Sequence, residues 1–287
     1  MKKIDFDALT IADDFMFSTI FGNPDNIDLT KRVLELFLGR KICAIHLKES
    51  QAAVRAQPGA RGVRFDLLIM ADGFWADLEM QTVSRKDLLK RARYYHSTMN
   101  VYNLKEGQKV GELPDAYVIF ICMFDFFGLK MEKYVIRPSI INIPYPLEVE
   151  SGSTTIFVNA ENPNRDEELG RLLEYFVNSV PTDGLTEELN KKVIEARKNV
   201  EIRRAYMTLQ EKMDDAREEG FTEGKAEGKA EGKAEGITKG RADTLRQYIA
   251  ECRKQEISEE EIGRNLSVYF NAQDAEIEML MQDEKVS

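Results

Sequence analysis

The chain has 287 residues, 43% of them apolar, enough for one large domain or two small ones with a proper core. No run of 18 apolar residues occurs, which excludes a membrane-spanning helix, and the opening Met1-Lys2-Lys3-Ile4-Asp5 runs on to Asp7 and Asp13-Asp14 without a signal-peptide core, so the expectation is a cytoplasmic protein. The formal charge of −10 argues against nucleic acid at first sight, but residues 1–165 carry 21 basic and 21 acidic side chains while residues 166–287 carry 19 and 29, so whole-chain charge says little about what the first part binds.

Residues 5–22, with Asp13-Asp14-Phe15-Met16-Phe17 and Ile20-Phe21-Gly22, have the spacing of a short amphipathic helix ended by Gly22. Leu29, Val33, Leu34, Phe37 and Leu38 predict a second helix over 27–38, stopped by Gly39. Ile42 to Leu47 reads as a strand containing His46, a lone histidine better explained as structural. Residues 48–62, with Gln57-Pro58-Gly59-Ala60, read as a loop.

Residues 63–81 follow, the segment around which the rest is organised. Val63 to Met70 and Phe74 to Gln81 are apolar-rich runs flanking Asp72-Gly73, a strong hairpin signal. A two-residue turn pairs Ala71 with Phe74 and puts Asp66 opposite Glu79, with Gln81 on the same side as Glu79. Opposed carboxylates both stay ionised only around a cation; otherwise one pKa rises. Oxygen donors of this kind suit Mg²⁺ or Mn²⁺. The competing reading is an exposed hairpin whose acids point into water.

Ser84-Arg85-Lys86-Asp87 has the form of a capping box opening a helix to about Asn103, just short of Gly107. Lys86, Lys90 and Arg93 form one basic stripe, opposite Leu88, Leu89, Ala92, Tyr95 and Met99. Such a stripe beside an acidic strand pair suits a phosphate backbone; an ordinary solvated helix face is the alternative. Arg55, Arg61 and Arg64 add positive charge ahead of the site. Ala116 to Phe124 reads as a strand buried on both faces, residues 131–137 and 154–158 as further strands, and Phe124-Asp125-Phe126-Phe127 as packing between them. The order of elements predicts a mixed α/β core.

Arg165 to about Lys212 is helical in pattern, with Pro181 and Gly184 separating two helices, the second running from Leu185 through Leu209. Glycine then recurs every four residues from Gly220 to Gly240, mostly in Glu-Gly-Lys-Ala units. Each glycine costs a helix roughly 1 kcal/mol relative to alanine, so this stretch is either a flexible linker or a helix held by close packing of its glycine ridge against a second chain. Residues 241–283 resume as short amphipathic helices carrying Leu245, Tyr248, Ile249, Ile262, Leu266, Tyr269 and Phe270. Cys43, Cys122 and Cys252 are odd in number and far apart, neither a disulfide framework nor a zinc site; the first two are expected in the core and Cys252 as an ordinary helix residue.

Asp66, then Glu79-Met80-Gln81 across a turn, then Lys90-Arg91-Ala92-Arg93-Tyr94-Tyr95, resemble the Rpn family of recombination-promoting nucleases, transposase-like members of the PD-(D/E)XK nuclease superfamily. Asp14-Phe15-Met16-Phe17 with Ile20-Phe21-Gly22, and the tail from Arg217-Glu218-Glu219-Gly220 into the repeats, are similar to that family's opening and tail. The resemblance implies an α/β fold with a restriction-endonuclease-like αβββαβ core and mixed sheet in residues 1–164. A helical extension (165–215), the repeat segment (216–240) and a helical acidic tail (241–287) follow. It implies a Mg²⁺- or Mn²⁺-dependent DNA endonuclease linked to recombination or mobile elements. Asp66 and Glu79 would be metal ligands, and Gln81 would stand where the superfamily usually has lysine. The missing charge would come from Arg64, Lys86 or Lys90, and DNA contacts from these and Arg93. Asp77 is a secondary metal candidate and Glu35 the acid of the N-terminal helices. DNA and further copies of the chain, joined through the C-terminal region, are the expected partners, with no membrane. The alternative is a weak or inactive nuclease fold acting as a DNA-binding or regulatory module.

Overall fold

A computed structural model describes residues 5–54 and 62–283; Arg55 and Arg61 lie outside the described residues. Two helices open the chain, α1 (Asp14–Gly22) and α2 (Ile27–Leu38). Gly39 ends α2 in the left-handed region, φ 69°, with its N–H donating to the Glu35 carbonyl, a conformation that favours glycine. Three antiparallel strands follow: β1 (Ile45–Val54), β2 (Val63–Ala71) and β3 (Phe74–Gln81). β1 runs well past Leu47 because Glu49 to Val54 pair with β2, so the first half of the expected loop is strand.

The helix α3 (Leu88–Asn103) crosses over the sheet and returns the chain to β4 (Ala116–Cys122), parallel to β3, as a parallel pair requires. This is the expected αβββαβ order. The predicted capping box does not form: Asp87 occupies the N-cap without a side-chain bond, and residues 82–87 carry the chain from the buried Gln81 to the buried Leu88. Strands β5 (Lys133–Ile136), β6 (Ser139–Ile140), β7 (Leu147–Glu148) and β8 (Ser153–Asn159) follow. The six-stranded sheet runs β1-β2-β3-β4-β8-β5, with β6 and β7 a separate two-stranded ribbon.

Two apolar layers sandwich the sheet. On one face, α1 and α2 pack with α4 (Glu168–Asn178) and α5 (Gly184–Lys198), burying Phe17, Phe21, Val33, Phe37, Leu172, Phe176 and Leu189 against Leu67, Ile69, Leu78 and Ile119. On the other, α3 places Leu88, Ala92, Tyr95 and Met99 over Trp75, Val118 and Phe120, while Phe126 stacks on Phe157. Leu89, expected on the apolar side, is half-exposed one residue off this stripe. Cys122 is buried, but Cys43 is exposed in the connection before β1 rather than in the core.

The chain divides into two compact units, Met1–Thr208 and Leu209–Ser287. The second expected helix ends at Asn199, where α6 (Val200–Lys254) begins. α6 is helical throughout Gly220–Gly240, and beyond the helix's own neighbouring backbone no atom of the described residues lies within 4 Å of a Cβ built on any of these six glycines. The end of α6 packs with α7 (Glu259–Phe270) and α8 (Asp274–Asp283) through Leu245, Ile249, Cys252, Ile262, Leu266 and Leu280. Tyr269, expected among these apolar contacts, points outward and is exposed.

Candidate active site

Asp72 and Gly73 both adopt positive φ, 44° and 81°, as a type I′ two-residue turn demands. The turn sets the register from Ala71–Phe74 down to Leu67–Leu78. Asp66–Glu79 would be the next rung, and there the backbone ladder stops. The Asp66 N–H instead donates to Glu79 Oε1 at 3.1 Å, and the Met80 N–H donates to Asp66 Oδ2 at 3.2 Å. Each carboxylate thus takes an amide of the opposite strand. The alternation of β2 breaks at the same point: Leu67 belongs to the α1/α2 layer, whereas Phe65 meets the Tyr95 ring on the α3 side at 5.6 Å. The two acids therefore sit in a fork where the strands part.

The fork opens into a recess of about 170 Å³ lined by Asp14, Arg64, Asp66, Glu79, Gln81, Arg85 and Arg91, among others. Burial, then the charge of Asp14, raises Asp66 to about 6. Burial, then Asp66, raises Glu79 to about 8. These are the shifts expected of crowded carboxylates withdrawn from water. Arg91 opposes them. Its Nη2 lies 3.3 Å from Glu79 Oε2, its Nη1 donates to Gln81 Oε1 at 3.2 Å, and it also bonds the Tyr95 hydroxyl. Tyr95 in turn donates to Glu79 Oε2 at 3.1 Å.

Of the residues singled out from sequence, Asp66, Glu79, Gln81 and Arg64 meet at the recess. Lys86, Lys90 and Arg93 are exposed and do not line it. Asp77 lies fully buried behind Glu79, its two carboxylate oxygens without hydrogen-bond partners, and burial followed by the Glu79 charge pushes its pKa well up. Glu35 is elsewhere. It bonds Lys41 and the Ile42 N–H on the wall of a larger cavity of about 940 Å³, where Arg32 also pairs with Glu168. That cavity is larger than the recess, but among the described residues no buried acid faces it.

Asp14, at the first turn of α1, is the acid of the N-terminal helices that lines the recess, and burial raises its pKa. Asp14 and Arg91 are the residues that sequence reasoning missed as site members. A signal for Arg91 existed: it stands three residues after Leu88 and four before Tyr95, a charge on the buried stripe of α3.

Among the described residues no cluster of three or more His, Cys, Asp or Glu side chains is arranged to hold a metal ion. The fork itself fits a hard cation by its donors: two carboxylates and an amide oxygen, with the acids raised by burial and then by neighbouring carboxylates. Among the described residues no helix is long and apolar enough to cross a membrane.

No curated protein and no solved structure matches the chain significantly. A family model described as PD-(D/E)XK nuclease family transposase matches residues 11–219, a span that includes α1, the whole sheet, α3 and the recess. The chain belongs to the PD-(D/E)XK nuclease family transposases.

Proposed function

We propose that the recess at the β2–β3 fork is the active site of a divalent-metal-dependent DNA endonuclease, acting in recombination or on mobile elements. The observation that carries this reading is the pair of partly buried Asp66 and buried Glu79, held by reciprocal amide bonds with its pKa values raised, beside Gln81 and a guanidinium. Nucleases of this kind generally use divalent metal ions.

Asp66 and Glu79 would hold the cation, with Asp14 within electrostatic reach of Asp66. A Mg²⁺ or Mn²⁺ ion bound there supplies charge for the phosphate and acidifies a water. The strand amides of Asp66 and Met80 fix one oxygen of each acid, so their orientation is set before any ligand arrives. Gln81 orients a water or phosphate oxygen through its amide but brings no charge. Arg91, already bonded to Gln81 Oε1, brings that charge from α3 in place of the usual strand lysine. Arg64 and Arg85 on the recess wall would meet the flanking phosphates.

Purified protein incubated with supercoiled plasmid and Mg²⁺ or Mn²⁺ tests the reading. Metal-dependent nicking or cutting that is lost in Asp66→Asn and in Glu79→Gln is expected. Cleavage that survives either change refutes the site. Salt-dependent DNA binding with no metal-dependent cutting would show a DNA-binding or regulatory module instead.

A further inference from the structure

The last strand of the sheet and the ribbon after it leave an uncovered apolar surface on the first unit. Ten large apolar side chains between Leu129 and Val149 are each more than a third exposed, among them Val135, Ile140, Ile141, Ile143, Tyr145 and Leu147. At roughly 100 Å² apiece these ten side chains together expose about 1,000 Å², on the scale of the ~800 Å² per partner that a standard interface buries. β5 is the sheet's terminal strand, and among the described residues it pairs only with β8.

The ribbon cannot account for its own presence. β6 and β7 share two residue pairs, Ser139–Glu148 and Ile140–Leu147, extended by the Val149 N–H donating to the Pro138 carbonyl. An isolated two-stranded ribbon is marginal in water, and both members of its apolar pair are about half exposed. Tyr145 stands between Pro144 and Pro146 at 84% exposure, its flanking backbone stiffened by the prolines. A fixed, outward aromatic is the kind of anchor that interfaces concentrate their binding energy on.

Charge selects the occupant. Residues 129–150 carry Lys130, Lys133 and Arg137 against Glu132, Glu148 and Glu150, with Arg137 and Glu148 paired at 3.1 Å. A surface without net charge does not repel its own copy and offers no pull to a strongly acidic or basic partner. Apolar area on this scale is characteristic of homodimers. We infer that two copies of this chain pair through the β5 edge and the 139–149 ribbon, in an isologous two-fold contact. The contact lies in the first unit and needs no glycine ridge in α6.

Hydrogen–deuterium exchange on the full chain, measured across a hundredfold range of protein concentration, tests this. Amides of 139–149 should gain protection as concentration rises, while mass by light scattering moves from one chain to two. Ile141→Asp with Tyr145→Asp, both at exposed positions and so compatible with an unchanged far-UV spectrum, should remove the concentration-dependent protection. Protection that is absent throughout, or the same at every concentration because another part of the same chain covers the ribbon, overturns the proposal. So does concentration-dependent protection that persists in the double variant.

Discussion

Replacing both acids of the fork by their amides, Asp66→Asn with Glu79→Gln, should stabilise the metal-free protein, and by more as the pH rises. Glu79 stands at about 8 against an ordinary 4.5, and Asp66 at about 6 against 3.8. Each carboxyl binds its proton more tightly folded than unfolded. Its favourable contribution is therefore complete below the unfolded pKa and is lost as pH rises through the folded value. At about 1.4 kcal/mol per pH unit, Glu79 gives up about 3 kcal/mol between pH 4.5 and 7, and Asp66 gives up about 3 kcal/mol once ionised. Other acids that burial raises, such as Asp77 and Asp14, act in the same sense, so the wild type alone does not isolate the effect. The difference from the amide variant does. Urea unfolding in EDTA from pH 5 to 8, followed by the fluorescence of Trp75, the one tryptophan and a residue of β3, reads the right unit. The gain should grow by several kcal/mol across that range. Saturating Mg²⁺ should narrow it, since ligand at a hundred times its dissociation constant stabilises by about 3 kcal/mol. A difference that stays constant with pH would refute the reasoning, because the two acids would then be ordinary solvated groups.

Arg91→Met should cost only about 1–2 kcal/mol at pH 7, the worth of its hydrogen bonds, rather than the 3–5 kcal/mol of an orphaned buried charge, because Glu79 holds its proton there. Cleavage should fall more than tenfold with partial recovery in Arg91→Lys; unchanged cleavage would remove Arg91 from the chemistry. Gly228→Ala with Gly232→Ala should stabilise α6 by about 1 kcal/mol each, seen in thermal melts by far-UV circular dichroism, because nothing lies near either position; a loss of helicity would show that the ridge is in use. Gly170→Ala should destabilise the first unit by more than about 2 kcal/mol in urea unfolding, since its Cβ would lie 1.9 Å from the Asn164 carbonyl oxygen; a neutral result would mean that the α4 entry yields easily.

The hairpin was legible because its signal is local. Asp72-Gly73 selects a turn whose geometry fixes every rung down to Leu67–Leu78. Counting alternate residues onward then assumes that the strands stay paired, and they do not. The break coincides with an irregularity outside the hairpin. Gln51 on β1 lies at φ 56°, between residues whose partners are Leu67 and Phe65, so the irregularity of β1 falls level with Asp66. The same limit explains Glu35. Helical spacing finds α2, but which acid of which helix reaches the fork depends on how α1 and α2 seat on the sheet, and that placement is tertiary. The basic stripe lies outside the recess for a different reason. Lys86, Lys90 and Arg93 were grouped by mutual spacing, which finds a face but not the buried one. The apolar spacing of Leu88, Ala92, Tyr95 and Met99 defined the buried face, and Arg91 was the charge lying on it.

That placement has a consequence for how the site can vary. A lysine two residues after Glu79 would share the rigidity of β3, whose every residue is buried. Here the guanidinium beside Gln81 comes from α3 instead, and its position depends on how that helix packs. Tyr95 links the two roles. Its ring meets Phe65 and Phe120 in the layer beneath α3, and its hydroxyl bonds both Arg91 and Glu79. Trimming the α3 core at Met99 or Ala92, far from any phosphate, should therefore disturb the guanidinium before it disturbs the acids, which the strand amides hold independently. In the proposed active site, catalysis and metal binding would then be separable by mutation, because the carboxylates are fixed by the sheet and the guanidinium by the helix.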